Sequence, residues 1–315
     1  MITVIKPGPL TTLQDLGRFG YQAWGMPVSG VVDFYAAKAA NILVGNSAKA
    51  AVLEMTDEGG TFHFSEETLI AVTGAFAPVE INGTPHSTWS SLHIPAGSIL
   101  HIGAMSKGRR LYLACTGSFA VPTVMGSKST YLAAGVGGFE GRPLQAGDML
   151  FRGTSPEVNR HPVVLPHQWQ MPLEKIWQLN VTLGSQEDMF SAKDKQTFFN
   201  KTYTLENEIP RTSSQLKGPL LKPPSQEMIS EPTGLGAVEV STNGKLLIVL
   251  PDHGTSRGFA KIAYVIHAHF YKLAQMKLGD KIRFSLIDVE TAADLYRLQE
   301  SSLRALKEAL DNNYL

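Results

Sequence analysis

The chain has 315 residues, 43% of them hydrophobic and 18% charged, so it can bury a sizeable core and is too apolar for a disordered polypeptide. Lys+Arg and Asp+Glu balance at 28 each, which leaves no global field to select nucleic acid or an acidic membrane as a partner. A single cysteine, Cys115, excludes an internal disulfide and suits a reducing compartment. No basic segment followed by an apolar run opens the chain, and runs such as Leu246 to Leu250 are too short to span a bilayer. The expectation is a cytoplasmic protein.

Short apolar runs punctuated by Gly and Pro dominate. In chain order, strands are expected at Leu69–Phe76, Arg110–Gly117, Ile176–Leu183, Ala237–Ser241 and Lys245–Leu250. Asn82-Gly83 and Asn243-Gly244 are hairpin signals, because both residue types tolerate positive φ. A Gly turn launching a strand recurs at Ala96-Gly97-Ser98, Ala146-Gly147-Asp148 and Leu278-Gly279-Asp280. This spacing predicts a mainly β protein of barrel or sandwich type with a few helices. Helices are expected from Asp33 to Val44, stopped by Gly45-Asn46, from Ser185 with Asp188 three residues on, and from Thr291 with Asp294. In the last, Leu295, Leu298, Leu303, Leu306 and Leu310 recur at roughly helical spacing, for packing on their own domain or for contact with another protein of a complex.

Pro156, Pro162, Pro166 and Pro172 mark a boundary between about 152 and 172, and a second irregular stretch runs from Pro210 to Pro232. The expected domains are 1–160, 161–290 and a C-terminal helix at 291–315.

The most informative segment is Thr11-Thr12-Leu13-Gln14-Asp15-Leu16-Gly17-Arg18-Phe19-Gly20-Tyr21, continued by Gly25-Met26-Pro27-Val28-Ser29-Gly30 and Asp33. It is a Gly-rich loop feeding a helix, with Asp15 and Arg18 as opposite charges, Tyr21 as an amphipathic contact and Ser29 near a helix start. A pair that locks the loop and a pair that meets a ligand are equally open on residue chemistry. Gly126-Ser127-Lys128-Ser129-Thr130 is not a Walker A loop, since residue 121 is Val, but its hydroxyls and amides can serve either an anion or the turn itself. Arg142 after Gly137-Gly138 offers a carboxylate fork. His253 beside Asp252 is a candidate general base oriented by that carboxylate, or a turn residue. His267 and His269 would share a face if on a strand, but no third metal ligand is evident, and no metal site is expected. Cys115, in an apolar strand with no adjacent base, reads as inert.

These segments, with Ala40-Asn41-Ile42-Leu43-Val44-Gly45-Asn46, Ala134 to Leu144 and Asp252 to Ala263, resemble the KipA, or allophanate hydrolase subunit 2, family of biotin-dependent carboxyltransferase type. The resemblance covers about residues 1–287. It implies two cyclophilin-like β-barrel domains and work inside a complex. One family role is an ATP-dependent 5-oxoprolinase that opens 5-oxoproline to glutamate, acting with a KipI-like subunit and a LamB/YcsF-like subunit. ATP with magnesium is then a requirement of the complex. A second role is biotin-dependent carboxyl transfer of the urea carboxylase type, which needs a carrier and a carboxylase that these residues do not supply, so biotin is not expected. A third is an antagonist that binds a KipI-like kinase inhibitor. The site implied is Asp15, Arg18, Asp252 and His253 for catalysis, with Tyr21, Ser29, Ser127, Ser129, Arg142, Arg211 and Lys261 for a small amide substrate. The chain departs from the family pattern at 210–219 and 251–263. Gly254 stands where the pattern has Gln, Ala260 where it has Pro, and Glu239 where it has Gln; a buried Glu239 would disfavour an anionic ligand unless paired.

Overall fold

A computed structural model describes residues 1–154, 160–209, 211–224 and 228–315. Pro156 and Pro210 of the two proline-rich stretches lie outside these described residues. The chain forms two compact units. The first comprises 1–18, 29–173 and 300–315, and the second 19–28 and 174–299. In this part of the chain the division between the units falls at Leu173/Glu174. Residues 163–165 stay with the first unit because Val163 and Leu165 exchange backbone hydrogen bonds with the segment 89–91. Residues 289–299 of the final helix fall in the second unit and 300–311 in the first.

The first unit holds two sheets. One runs Met149–Leu150, Ile2–Lys6, Glu58–Phe64, Ser98–Ala104, Val79–Ile81, Thr84–His86, and the other Leu10–Gln14, Val52–Thr56, Lys107–Cys115, Thr68–Phe76, Ser90–Ile94. Alternate residues build the common core: Ile2, Val4, Phe62, Phe64, Leu100 and Ile102 from one sheet, Leu53, Met55, Ile70, Val72, Leu111 and Leu113 from the other. The reverse face of the five-stranded sheet is also covered. Val52, Ala71, Tyr112 and Ala114 pack with α1 (Phe34–Leu43) and with Leu303, Leu306 and Leu310. Burial on both faces explains why these strands read as unbroken apolar runs. Helix α1 is capped as its sequence requires, with Asp33 accepting from the Ala36 amide at 2.9 Å.

The second unit is a closed seven-stranded barrel. Its order is Ile176–Leu183, Ala260–Val265, Ala237–Val240, Leu246–Val249, Ser213–Lys217, Tyr203–Ile209, Lys281–Leu286, and the first and last strands pair in parallel to close it. Asn243-Gly244 turns the hairpin between Ala237–Val240 and Leu246–Val249. Helix α2 (Ala192–Asn200) lies on the barrel through Phe198, stacked 4.5 Å from Phe284. It begins at Ser191, whose Oγ accepts from the Asp194 amide, rather than at Ser185; residues Glu187–Met189 form only a 3-10 turn. Helix α3 (Phe270–Gln275) had no sequence signal strong enough to separate it from a buried strand. Helix α4 (Val289–Asp311) starts two residues before Thr291, because Asp288 accepts from the Thr291 amide at 2.7 Å. Of its leucine stripe, Leu303, Leu306 and Leu310 are buried and Leu298 is exposed. Among the described residues no helix is long and apolar enough to cross a membrane.

Candidate functional site

In the first unit, Asp15 is the hub of the signature loop. Its Oδ1 accepts from Ser127 Oγ at 2.7 Å, Ser129 Oγ at 2.5 Å and the Gly17 amide at 2.8 Å, and its Oδ2 accepts from the Lys128 amide at 2.6 Å. Ser129 Oγ in turn accepts from the Asp15 amide at 3.1 Å. The Gly126–Thr130 turn therefore does wrap an anion, and that anion is the chain's own carboxylate. The Ser129 amide is likewise committed, to Ser127 Oγ at 2.9 Å. A turn whose donors are so engaged is a poor phosphate cradle.

Arg18 is fully buried, and its guanidinium donates to the carbonyls of Ser129 at 2.7 Å and Val124 at 3.5 Å. These bonds, rather than a direct Asp15–Arg18 contact, tie the two segments together. Gly137 explains its own residue type here: at φ +72°, a Cβ would sit 2.2 Å from the Ser129 carbonyl and 2.7 Å from Arg18 Nη2. Ser29 is buried at φ 56°, a left-handed conformation that serine rarely adopts, and among the described residues its Oγ has no hydrogen-bond partner. The Arg142 fork is filled by Asp148, with Nη1 and Nη2 donating at 2.8 and 2.9 Å, and Glu140 takes a further bond at 2.8 Å. That pairing holds the Asp148 carboxyl below the usual carboxylate range.

A pocket of about 230 Å³ opens beside Asp15, lined also by Lys49, Ala50, Ala51, Ser118, Thr123, Gly126 and Lys128. Sequence reading missed Lys49 and Thr123, which carry no motif and come to Asp15 only through the fold.

The first unit also buries a network with no sequence signature. Glu54 Oε2 accepts from Tyr112 OH at 2.8 Å and from the Val32 amide at 3.0 Å, and Tyr112 OH accepts from the Asp33 amide at 2.9 Å. Arg110 Nε lies 3.9 Å from Glu54. The network clamps the backbone between Ser29 and α1. Burial, with the neighbouring Glu54 carboxylate, raises the Tyr112 pKa well above its ordinary value, so the phenol keeps its proton.

In the second unit, Arg211 and Asp252 meet in a buried two-point contact of 3.0 and 3.2 Å. Asp252 thus grips Arg211 and does not orient His253. The His253 ring instead donates from Nδ1 to the Gly254 carbonyl at 2.6 Å, which leaves Nε2 as the basic nitrogen. Burial above all, with Arg257 adding to it, lowers the His253 pKa, so the ring is neutral at neutral pH.

Glu239 is fully buried, and it is paired. Arg257 Nε lies 3.2 Å from its Oε2, and Thr233 Oγ1 donates to Oε1 at 3.1 Å. Burial still outweighs these partners and raises the Glu239 pKa. Lys261, opposite Glu239 in the strand register, lies 3.7 Å from Glu231, and Gln186 bridges the Lys261 amide and the Glu231 carboxylate. Arg257 therefore connects His253 and Glu239 electrostatically, and sequence reading missed it because Glu239 comes from a separate strand. Tyr21 stands in the 19–28 segment of this unit, 6.0 Å from the ring of exposed Trp24. His267 and His269 lie in a 3-10 turn rather than on a strand, so they share no face. His267 meets Phe270 and Tyr296, while His269 Nδ1 accepts from the Asn180 amide at 2.9 Å. Among the described residues no cluster of His, Cys, Asp and Glu could hold a metal ion.

The profile of the family described as "Carboxyltransferase domain, subdomain A and B" matches residues 24–286. The chain belongs to this family. It is 32% identical over 313 residues to the 5-oxoprolinase C subunit of Haemophilus influenzae, with 99% of each chain covered. It is also 32% identical over 317 residues to the corresponding 5-oxoprolinase protein of Escherichia coli, again with 99% of each covered. Among solved structures, the Kluyveromyces lactis urea amidolyase superposes with a TM-score of 0.92 at 30% identity. The match covers 97% of this chain and 20% of that much longer one.

Proposed function

We propose that this family member is one component of an ATP-dependent 5-oxoprolinase-type amidohydrolase. The complex would convert 5-oxo-L-proline, ATP and two waters to L-glutamate, ADP and phosphate, with KipI-like and LamB/YcsF-like subunits as partners. The observation that carries this reading is the end-to-end match to two 5-oxoprolinase components, which leaves no part of either relative unaccounted for beyond 1%. ATP supplies phosphoryl activation of the lactam carbonyl. It is assigned to the complex rather than to the Gly126–Thr130 turn, whose donors already serve Asp15 and Ser127.

The second unit supports acid–base work. Neutral His253 keeps Nε2 free to accept a proton from attacking water, and Arg257 and Lys261 are cations that favour developing oxyanion charge. The test is reconstitution of the three subunits with ATP and 5-oxoproline, measuring glutamate and ADP. A complex that assembles and yields neither refutes the proposal.

The similarity to urea amidolyase favours a second reading, biotin-dependent carboxyl transfer. It predicts decay of carboxybiotin on a carrier when the chain and a urea-type acceptor are added. The first reading predicts no response to biotin.

A further inference from the structure

The pocket beside Asp15 offers one acceptor and one cation that the chain itself does not use up. Asp15 Oδ1 takes three hydrogen bonds, but among the described residues Oδ2 takes one, from the Lys128 amide, and keeps a lone pair. Of the two lysines lining the pocket, Lys128 is tied down, its Nζ donating to the Phe119 carbonyl at 2.8 Å. Lys49 is exposed and has no ion pair among the described residues. Ser118 turns its hydroxyl to the Ala51 carbonyl at 2.9 Å, so the pocket's interior wall is fixed by the chain's own bonds. Thr123 is exposed at the rim, and at Gly126 a Cβ would meet nothing within 4 Å, so that side is open. The volume, about 230 Å³, is below the range of drug-sized ligands and suits a compound of roughly ten heavy atoms.

We propose that this pocket binds a small lactam acid, with its carboxylate against Lys49 and its ring N–H donated to Asp15 Oδ2. This proposal rests on the lactam-opening reading for its choice of ligand. The lactam amide is cis, so its N–H points out of the ring toward an acceptor while the carboxylate on the neighbouring carbon reaches the cation. The internal bonds from Ser127 and Ser129 then acquire a purpose. They fix the Asp15 carboxylate so that Oδ2 is presented without a loss of side-chain freedom on binding.

The experiment is an NMR titration of the full chain, reading the backbone amides around the pocket, with three probes. They are 5-oxoproline, N-methyl-5-oxoproline, which lacks the N–H, and 2-pyrrolidinone, which lacks the carboxylate. The expected result is that 5-oxoproline shifts the amides of Ala50, Ser118 and Lys128, and that each altered probe binds about tenfold more weakly. Lys49→Glu should weaken 5-oxoproline about tenfold and leave 2-pyrrolidinone unchanged. Lys49 is exposed, so the variant is expected to fold. Equal affinity for the three probes, or an unchanged affinity in Lys49→Glu, overturns the proposal. A reconstituted complex carrying Lys49→Glu that makes glutamate at the unaltered rate and KM overturns the pocket while sparing the function. A wild-type complex that makes neither glutamate nor ADP overturns the function, and the titration still reads the pocket.

Discussion

Arg211 and Asp252 face one another through two parallel hydrogen bonds in the second unit, and neither side chain is more than 6% exposed. Arg211 accepts a backbone φ of 59° to make this contact, a conformation that a long side chain adopts only when its surroundings over-determine it. The pair is thus built into the barrel's end as structure. Asp252→Ala leaves a buried guanidinium without this partner and is expected to destabilise the second unit by about 3–5 kcal/mol. Urea unfolding followed by tryptophan fluorescence checks this; a loss under about 1 kcal/mol would show the pair to be dispensable.

Ser129→Ala removes a hydroxyl that both donates to Asp15 Oδ1 and accepts the Asp15 amide. The expected loss is about 1–3 kcal/mol, because a half-buried carboxylate loses a charge-assisted bond. Denaturant midpoints measure it. An unchanged midpoint together with lost ligand affinity would instead make Ser129 a ligand contact.

Glu239 has a folded pKa raised above that of the unfolded chain, chiefly by burial. Such a carboxyl contributes its stability fully below the ordinary glutamate pKa, and loses it as pH rises through the raised value. Glu239→Gln removes the titration, so its melting temperature relative to wild type should improve as pH rises from the ordinary glutamate pKa of about 4.3 through the raised value. A difference that is flat across this range would contradict the burial argument.

His269 behaves in the opposite sense. Burial, with Lys272 nearby, lowers its pKa to about 4, and its Nδ1 must stay unprotonated to accept the Asn180 amide. Stability from this group is present above the unfolded value of about 6.5 and is lost as pH falls through about 4. His269→Asn keeps an acceptor near that position without titrating. It should flatten the acid limb of the melting curve between these pH values, as calorimetry across pH would record.

Cys115 lies fully buried between strands, and desolvation pushes its thiol pKa up to about 12. A thiol so placed is almost never thiolate at neutral pH. An Ellman-type reagent should titrate no thiol in the native protein and one after denaturation. Prompt native reaction would mean that the core opens.

Much of the architecture was legible in local pattern. The strands at 69–76, 176–183 and 237–240, both Asn-Gly hairpins and the Asp33 cap on α1 follow from periodicity and turn chemistry, which act within a few residues. The helix at 270–275 escaped because a short, fully buried helix shows no amphipathic stripe. Ser185 misled because Ser191 offers the same capping chemistry six residues later, and the residues between form a 3-10 turn.

By itself, the sequence determined that this is a mainly β member of the carboxyltransferase A and B family, and which polar residues crowd its signature loops. Only the tertiary structure decided how those residues are used. It gave Asp15 to Ser127 and Ser129, Asp252 to Arg211 instead of His253, and Arg257 to Glu239. It also brought Lys49 to the Asp15 pocket. The reason is physical. Turns and strands answer to neighbours in the chain, whereas a buried charge answers to whichever donor the fold places within about 3 Å, and that partner can be roughly a hundred residues away.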